Sequence, residues 1–223
     1  MNEKITEFLK SRLVSDIGFS RCDDSPFPGL NNAVSIVMHL SEAVVNGIDD
    51  APTHTYFHHY RTVNAFIDRL VLKTGIILQN YGYKYIPIGA SQSININGWN
   101  YNGRYSHKKA ASLAHLGGIG KNSLFLHKDY GARVRLGTLF TNCEFETKQE
   151  EYHSPCTECD RCVKVCPSGA IKGTLWQPGT ERSQVFDPEK CSEYMKKNFK
   201  HIGRGAVCGI CMSVCPAGKG KEE

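Results

Sequence analysis

Two runs of cysteine leave the last part of this chain little freedom in what it can become. The first is Cys156-x2-Cys159-x2-Cys162-x3-Cys166-Pro167. The second, Cys191-x16-Cys208-x2-Cys211-x3-Cys215-Pro216, has the same spacing with its first interval stretched into a loop. Together they hold eight of the ten cysteines. Three thiolates two residues apart wrap one small volume within a tight loop, as a cubane 4Fe–4S cluster requires of its soft ligands. The fourth thiolate of each run lies a helical turn further on and faces away. Pro167 and Pro216 have no N–H to donate and a fixed φ, so each turns the chain aside just past its ligand.

In two-cluster ferredoxins the fourth cysteine of each run ligates the other cluster. The same crossing here gives Cys156, Cys159, Cys162 and Cys215 to a first cluster, and Cys166, Cys191, Cys208 and Cys211 to a second. Each run then depends on the other, and the two are expected to fold as one unit. Structural zinc sites are usually built from two separated Cys-x2-Cys pairs rather than a triple followed by Cys-Pro. Disulfides belong to oxidising compartments. Lys164, within the first run, and Lys172, just after it, lie beside the clusters, where cations could raise cluster potentials or dock an acidic electron donor.

The remaining 155 residues before the first run contain only Cys22 and Cys143, both expected as packed core thiols. The chain therefore divides by sequence into a larger domain, 1–150, and a cysteine-rich module, 151–223. A net charge of +5 without a long basic run permits an anionic partner but does not demand nucleic acid. Charges interrupt every apolar stretch near the N-terminus, and no segment reaches transmembrane length. No membrane partner is expected, and a reducing cytoplasm is the expected compartment.

In the first domain, Ile5, Phe8, Leu9 and Leu13 share one face of a helix over Glu3–Val14. Ile17–Ser20 and the β-branched run Ala33–Leu40 read as strands. The longest helical pattern runs from Thr55 to Asn80, with Gly82 as its cap. His54 and His58 are four apart at its start, but no third ligand accompanies them, so a polar helix start is preferred to a metal site. Tyr83–Ile88 reads as a strand halted by Pro87. Residues 90–105, rich in Asn, Gly and Ser, read as a long loop. Ser106 reads as the N-cap of a helix ending at Gly117. Residues 124–126 and 134–140 read as a β-hairpin around a turn at 129–131.

Between that helix and hairpin lies Gly117-Gly118-Ile119-Gly120-Lys121-Asn122. Its glycines permit positive φ or close approach of a large ligand, and Lys121 and Asn122 add a cation and an amide. The spacing fits neither a P-loop nor a dinucleotide fingerprint. A glycine-rich connection is an equally good account of it.

This glycine–lysine stretch, the hairpin and the double cysteine run, in that order, resemble the epoxyqueuosine reductase family. These are cobalamin-dependent reductases with two 4Fe–4S clusters, related to reductive dehalogenases. The likeness runs over roughly residues 15–218 and is strongest from Ser106 onward. It implies an α+β architecture, with a nitroreductase-like corrinoid-binding domain followed by a ferredoxin-like double 4Fe–4S module. It also implies that electrons pass through both clusters to a corrinoid, which reduces the substrate. By position, Gly117, Gly118, Ile119, Gly120, Lys121 and Asn122 match the family's corrinoid-side motif, and Arg135 lies in the matching hairpin. Reduced ferredoxin or flavodoxin is the implied donor, and a small molecule or modified tRNA the implied substrate.

Two departures accompany the resemblance. The family's catalytic aspartate precedes the helix leading to the glycine motif, but residues 97–108 hold no carboxylate. Tyr101, Tyr105 and His107 are the candidate acids there. The sequence also resembles a short form without the family's C-terminal helical-repeat domain. An alternative function is therefore a ferredoxin-like electron carrier serving a partner enzyme or corrinoid protein, with no substrate of its own.

Overall fold

The computed structural model describes residues 1–147, 156 and 158–218. In chain order the elements begin α1 (Asn2–Lys10), β1 (Asp16–Arg21), β2 (Asn32–His39), α2 (Glu42–Asn46) and α3 (His54–Asn80). They continue with β3 (Tyr85–Ile88), β4 (Ile94–Ile96), β5 (Trp99–Asn102), α4 (His107–Leu113), β6 (Gly117–Ile119), β7 (Phe125–His127) and β8 (Val134–Thr141). The tail holds α5 (Arg161–Val165), α6 (Arg182–Val185), α7 (Pro188–Asn198), α8 (Lys200–Gly203) and α9 (Ile210–Ser213). The mixture of helices and strands is the expected α+β class.

The chain forms two compact units that interleave along the sequence. The first comprises Met1–His39, Val63–Leu116 and Arg135–Tyr152, and the second Leu40–Thr62, Gly117–Val134 and His153–Glu223. Segments 40–62 and 117–134 thus pack with the cysteine-rich tail, whereas a linear division at 150/151 separates them from it. That boundary itself lies outside the described residues.

The first unit is built on a sheet of order β1-β2-β8-β3. β1 and β2 are antiparallel, with Ile17 opposite Ile36 and Phe19 opposite Val34. β2 and β8 are buried along almost their whole length, as central strands covered on both faces must be. Alternation sorts their side chains. Val34, Ile36 and Leu139 join Ile5 and Leu9 of α1 and Ile67, Leu70, Val71 and Leu78 of α3. Ala33 and Phe140 join Cys22, Phe27, Leu30 and Ala110 of α4 in a second cluster. Gly137 of β8 lets α3 come close, since a Cβ there would lie 2.4 Å from Ile67 Cγ2. Cys22 and Cys143 are both core thiols, 0% and 1% exposed.

Several local readings change. Helix α1 stops four residues before Val14. Leu13 takes a left-handed φ of 63°, and the Val14 N–H reaches back to Leu9 O, closing a Schellman cap. His115 (φ 57°) does the same for α4, with its N–H on Ser112 O and the Leu116 N–H on Ala111 O, so Gly117 starts a strand instead of capping a helix. Pro87 sits inside β3 rather than ending it, paired with Leu139. β3 is an edge strand, where a missing N–H is tolerated. The region 90–105 is not a loop throughout. Asn97 (φ 51°) and Gly98 (φ 86°) form a two-residue turn joining β4 and β5, with Ile96 opposite Trp99. The expected pairing of 124–126 with 134–140 is replaced as well: β7 pairs with β6, and β8 lies between β2 and β3.

In the second unit, the β6–β7 hairpin accompanies α2, the first turns of α3 and the five tail helices. Gly131 and Gly218 meet back to back: a Cβ on Gly131 would lie 1.7 Å from Ala217 O, and one on Gly218 2.0 Å from Gly131 N. This contact fixes the chain just beyond Cys215 against the turn at 129–131. Among the described residues, no helix is long and apolar enough to cross a membrane.

Candidate metal centre

The second unit gathers the cysteines. Cys162 is carried inward on the short helix α5, while Cys166 leaves that helix in extended conformation just before Pro167. Cys211 lies on α9, and Cys215 follows it with its N–H on Met212 O. A cavity of about 260 Å³ is lined by Cys156, Cys159, Cys162 and Cys215, the four residues that the crossed spacing groups together. Cys191, on α7, comes from the stretched interval of the second run. No disulfide joins any of the ten cysteines.

Burial and neighbouring sulfur shift several of these thiols. Burial pushes the Cys162 thiol up to about 11, and the nearby Cys156 and Cys215 add to the shift. Burial pushes Cys191 up to about 12, with Cys208 and Cys166 as its sulfur neighbours. Burial also pushes Cys211 well up, reinforced by Cys208, Cys191 and Cys166 and, least of all, by Cys162 of the first group. Four thiolates drawn together in either group would leave a deficit of positive charge, which iron ions make good. The donor set and the size of the cavity fit a cubane cluster. A lone tetrahedral ion with bonds of about 2.3 Å needs no such space.

Lys121 and Asn122 face this cavity too. They are the two central residues of the tight turn between β6 and β7, whose Ser123 N–H bonds Gly120 O at 2.8 Å. The glycines around them serve the hairpin itself. A Cβ on Gly117 would lie 2.0 Å from Leu126 O, and one on Gly120 2.8 Å from Leu126 Cδ1. Lys121 Nζ lies 2.8 Å from Asp160 Oδ1, and Asn122 Nδ2 donates to Cys211 O at 3.3 Å. Lys164 and Lys172, the cations adjacent in sequence, are exposed.

The remaining candidates belong to the first unit. Arg135 lies on β8, not in a hairpin; its Nε donates to Asn64 Oδ1 at 2.9 Å and its guanidinium reaches Ala90 O at 3.4 Å. His107 Nε2 is 3.1 Å from Gly89 O, and Nδ1 is 2.8 Å from Thr138 Oγ1. A carbonyl only accepts, so Nε2 carries the proton and Nδ1 accepts from the hydroxyl. Burial lowers the His107 pKa, and Arg135 adds to the effect. Tyr105 donates to Asp24 Oδ1 at 2.8 Å and packs edge-on against Phe140. Burial, with Cys22 and Asp24 beside it, pushes its pKa far up. Tyr101 lies on β5, with its ring 4.8 Å from that of Trp99.

Sequence reasoning overlooked Arg133. It is fully buried, with donors on Ser213 O (3.2 Å), Cys215 O (3.3 Å) and Asn46 Oδ1 (3.3 Å), and Nε 2.8 Å from Glu42 Oε2. It holds the carbonyls of Ser213 and of Cys215 itself, on either side of Val214. The available signal was an arginine between Ala132 and Val134, at the start of an apolar strand.

Comparison with known proteins agrees with this centre. The model of the 4Fe–4S double cluster binding domain matches residues 155–218. Epoxyqueuosine reductase of Bacillus subtilis (strain 168) is 30% identical over 124 residues, 54% of this chain and 31% of that protein. The chain thus matches less than a third of this curated relative's length. Among solved structures, an epoxyqueuosine reductase crystallised with an epoxyqueuosine-modified tRNA-Tyr stem loop superposes with a TM-score of 0.64 at 18% identity, covering 99% of this chain and 66% of that one. A reductive dehalogenase whose structure suggested a mechanism for B12-dependent dehalogenation gives 0.73 at 18%, covering 93% and 30%. The chain is therefore similar to the epoxyqueuosine reductases over about half its length, with a fold matching theirs and that of reductive dehalogenases, and with a 4Fe–4S double cluster binding domain at its cysteine runs.

Proposed function

We propose that this protein is an iron–sulfur reductase of the epoxyqueuosine reductase-like kind, receiving electrons from reduced ferredoxin or flavodoxin and delivering them to a bound corrinoid that reduces the substrate. The observation that carries the reading is the convergence of Cys156, Cys159, Cys162 and Cys215 on one cavity, as the crossed spacing requires. When bound, the clusters supply one-electron storage and relay. The chain's own part is to hold them. Cys156, Cys159, Cys162 and Cys215 would bind the first, and Cys166, Cys191, Cys208 and Cys211 the second. Arg133 fixes the backbone before Cys215, and Asn122 does the same at Cys211.

The corrinoid rests on the shared fold. The residues that the resemblance assigns to it do not fit that role well: Gly117 and Gly120 answer to the hairpin's own packing, and Lys121 and Asn122 to the cysteine cavity. The same commitment favours a second reading, an electron carrier serving a partner enzyme or corrinoid protein. Anaerobic purification separates the possibilities. Iron and sulfide for two 4Fe–4S clusters, with a base-off cobalamin spectrum on adding cobalamin, supports the reductase. Two clusters without any spectral change at excess cobalamin supports the carrier, and a colourless zinc protein sinks both. On an epoxyqueuosine-containing tRNA stem loop we expect little turnover, because residues 97–108 offer no carboxylate and Tyr105 and His107 are already engaged within the first unit.

A further inference from the structure

Lys121 is a cation almost closed off from water, its side chain 11% exposed, on the wall of the cavity that Cys156, Cys159, Cys162 and Cys215 share. Its partner Asp160 stands between two of those cysteines in sequence and is 49% exposed. The β6–β7 turn leaves Lys121 little choice of position, because Asn122 beside it is pinned from both ends. Its Nδ2 donates to Cys211 O, and its Oδ1 accepts from the Leu124 N–H at 3.1 Å.

Building on the double-cluster reading, we propose that the Lys121–Asp160 pair sets the reduction potential of the first cluster, with Lys121 raising it and Asp160 offsetting part of the rise. The glycine–lysine turn is then a tuning element of the iron–sulfur centre. One electron from a one-electron donor adds one negative charge to the cavity, the donor is oxidised by one unit, and no bond or proton changes hands. A fixed cation in a dry wall favours the added charge. The carboxylate opposes it, but water screens its half-exposed side chain more strongly. The two charges therefore do not cancel, and Lys121 dominates.

The test is an EPR-monitored redox titration of the full chain, reconstituted anaerobically with iron and sulfide and without any corrinoid. Lys121→Met should move one of the two cluster signals to lower potential. An approximately tenfold fall in its reduced-to-oxidised ratio at fixed potential corresponds to about 59 mV for a one-electron couple. Asp160→Asn should move the same signal upward, Lys121→Arg should leave it near the wild-type value, and the other signal should stay in place throughout. Should Lys121→Met fail to fold, the surface substitution Asp160→Asn decides alone: an upward shift supports the assignment and an unmoved midpoint overturns it. Two assembled clusters with midpoints indifferent to both substitutions would sink this proposal while sparing the double-cluster reading. Wild-type protein that assembles no cluster would sink both.

Discussion

A buried guanidinium needs acceptors and an opposite charge, and Arg133 finds two backbone carbonyls and an amide oxygen for its terminal nitrogens and the Glu42 carboxylate as ion-pair partner at Nε, although among the described residues Nε itself makes no hydrogen bond. Replacing it with Met would strip the carbonyls of Ser213 and Cys215 of their donors in a buried site. We expect Arg133→Met to cost about 3 kcal/mol and to hasten iron loss to a chelator; thermal melting and chelation rates would check both. Arg133 shows why some of the centre was hidden in the sequence. The cysteines announced themselves because cluster chemistry dictates their spacing. Arg133 and Asp160 carry no spacing rule, and their roles arise from partners 80 and 39 residues away. The glycines that single out Lys121 in the sequence serve the hairpin, while its charge faces the thiols.

Among the elements, those with a strong apolar period were legible. β2 and α3 follow the expected ranges within a residue or two, because Val34, Ile36, Ile67, Leu70, Val71 and Leu78 repeat at the periods of a strand and a helix. The β4–β5 hairpin carries both of its signals, the Asn97-Gly98 turn and strict alternation in Ile94-Asn95-Ile96 and Trp99-Asn100-Tyr101-Asn102, but the Asn, Gly and Ser content of residues 90–105 points to a loop. The pairing of β8 was misread because its neighbours, β2 and β3, lie far away in sequence and the nearer apolar run at 125–127 pairs elsewhere. The place of β8 beneath α3 gives a direct test. Gly137→Ala would push a methyl into Ile67 and Val71, with contacts of 2.4 and 3.0 Å. Overpacking of this kind costs about 1–3 kcal/mol, and denaturant unfolding of the first unit should show it while iron content stays unchanged.

At the scale of the molecule, the two units should differ in what keeps them folded. The first has two apolar clusters on a four-stranded sheet. The cysteine-bearing helices α5 and α9 have only five and four residues, too short to persist without ties. Chelating the iron should therefore abolish hydrogen-exchange protection at α5 and α9 and leave β2 and β8 protected. Acid should act on the first unit through His107, whose ring faces Thr138, Gly89 O, Arg135, Asp68 and Lys108. Burial holds its folded pKa below the ordinary value of 6.5. As pH falls, the unfolded chain takes up the proton first, so the contribution is full above that value and is lost below it. His107→Gln should flatten the decline in exchange protection of α4 and β8 between about pH 7 and pH 5.

The interleaving of the units also orders events on the ribosome. Every segment of the first unit has been synthesised before Cys156 is joined to the chain, so the sheet can close while the metal-binding tail is still being made. Residues 40–62 and 117–134 must then wait for that tail. Once the tail is released, the polypeptide would carry a finished sheet and an unfilled receptor for iron and sulfide, and its maturation would be paced by the supply of inorganic cargo.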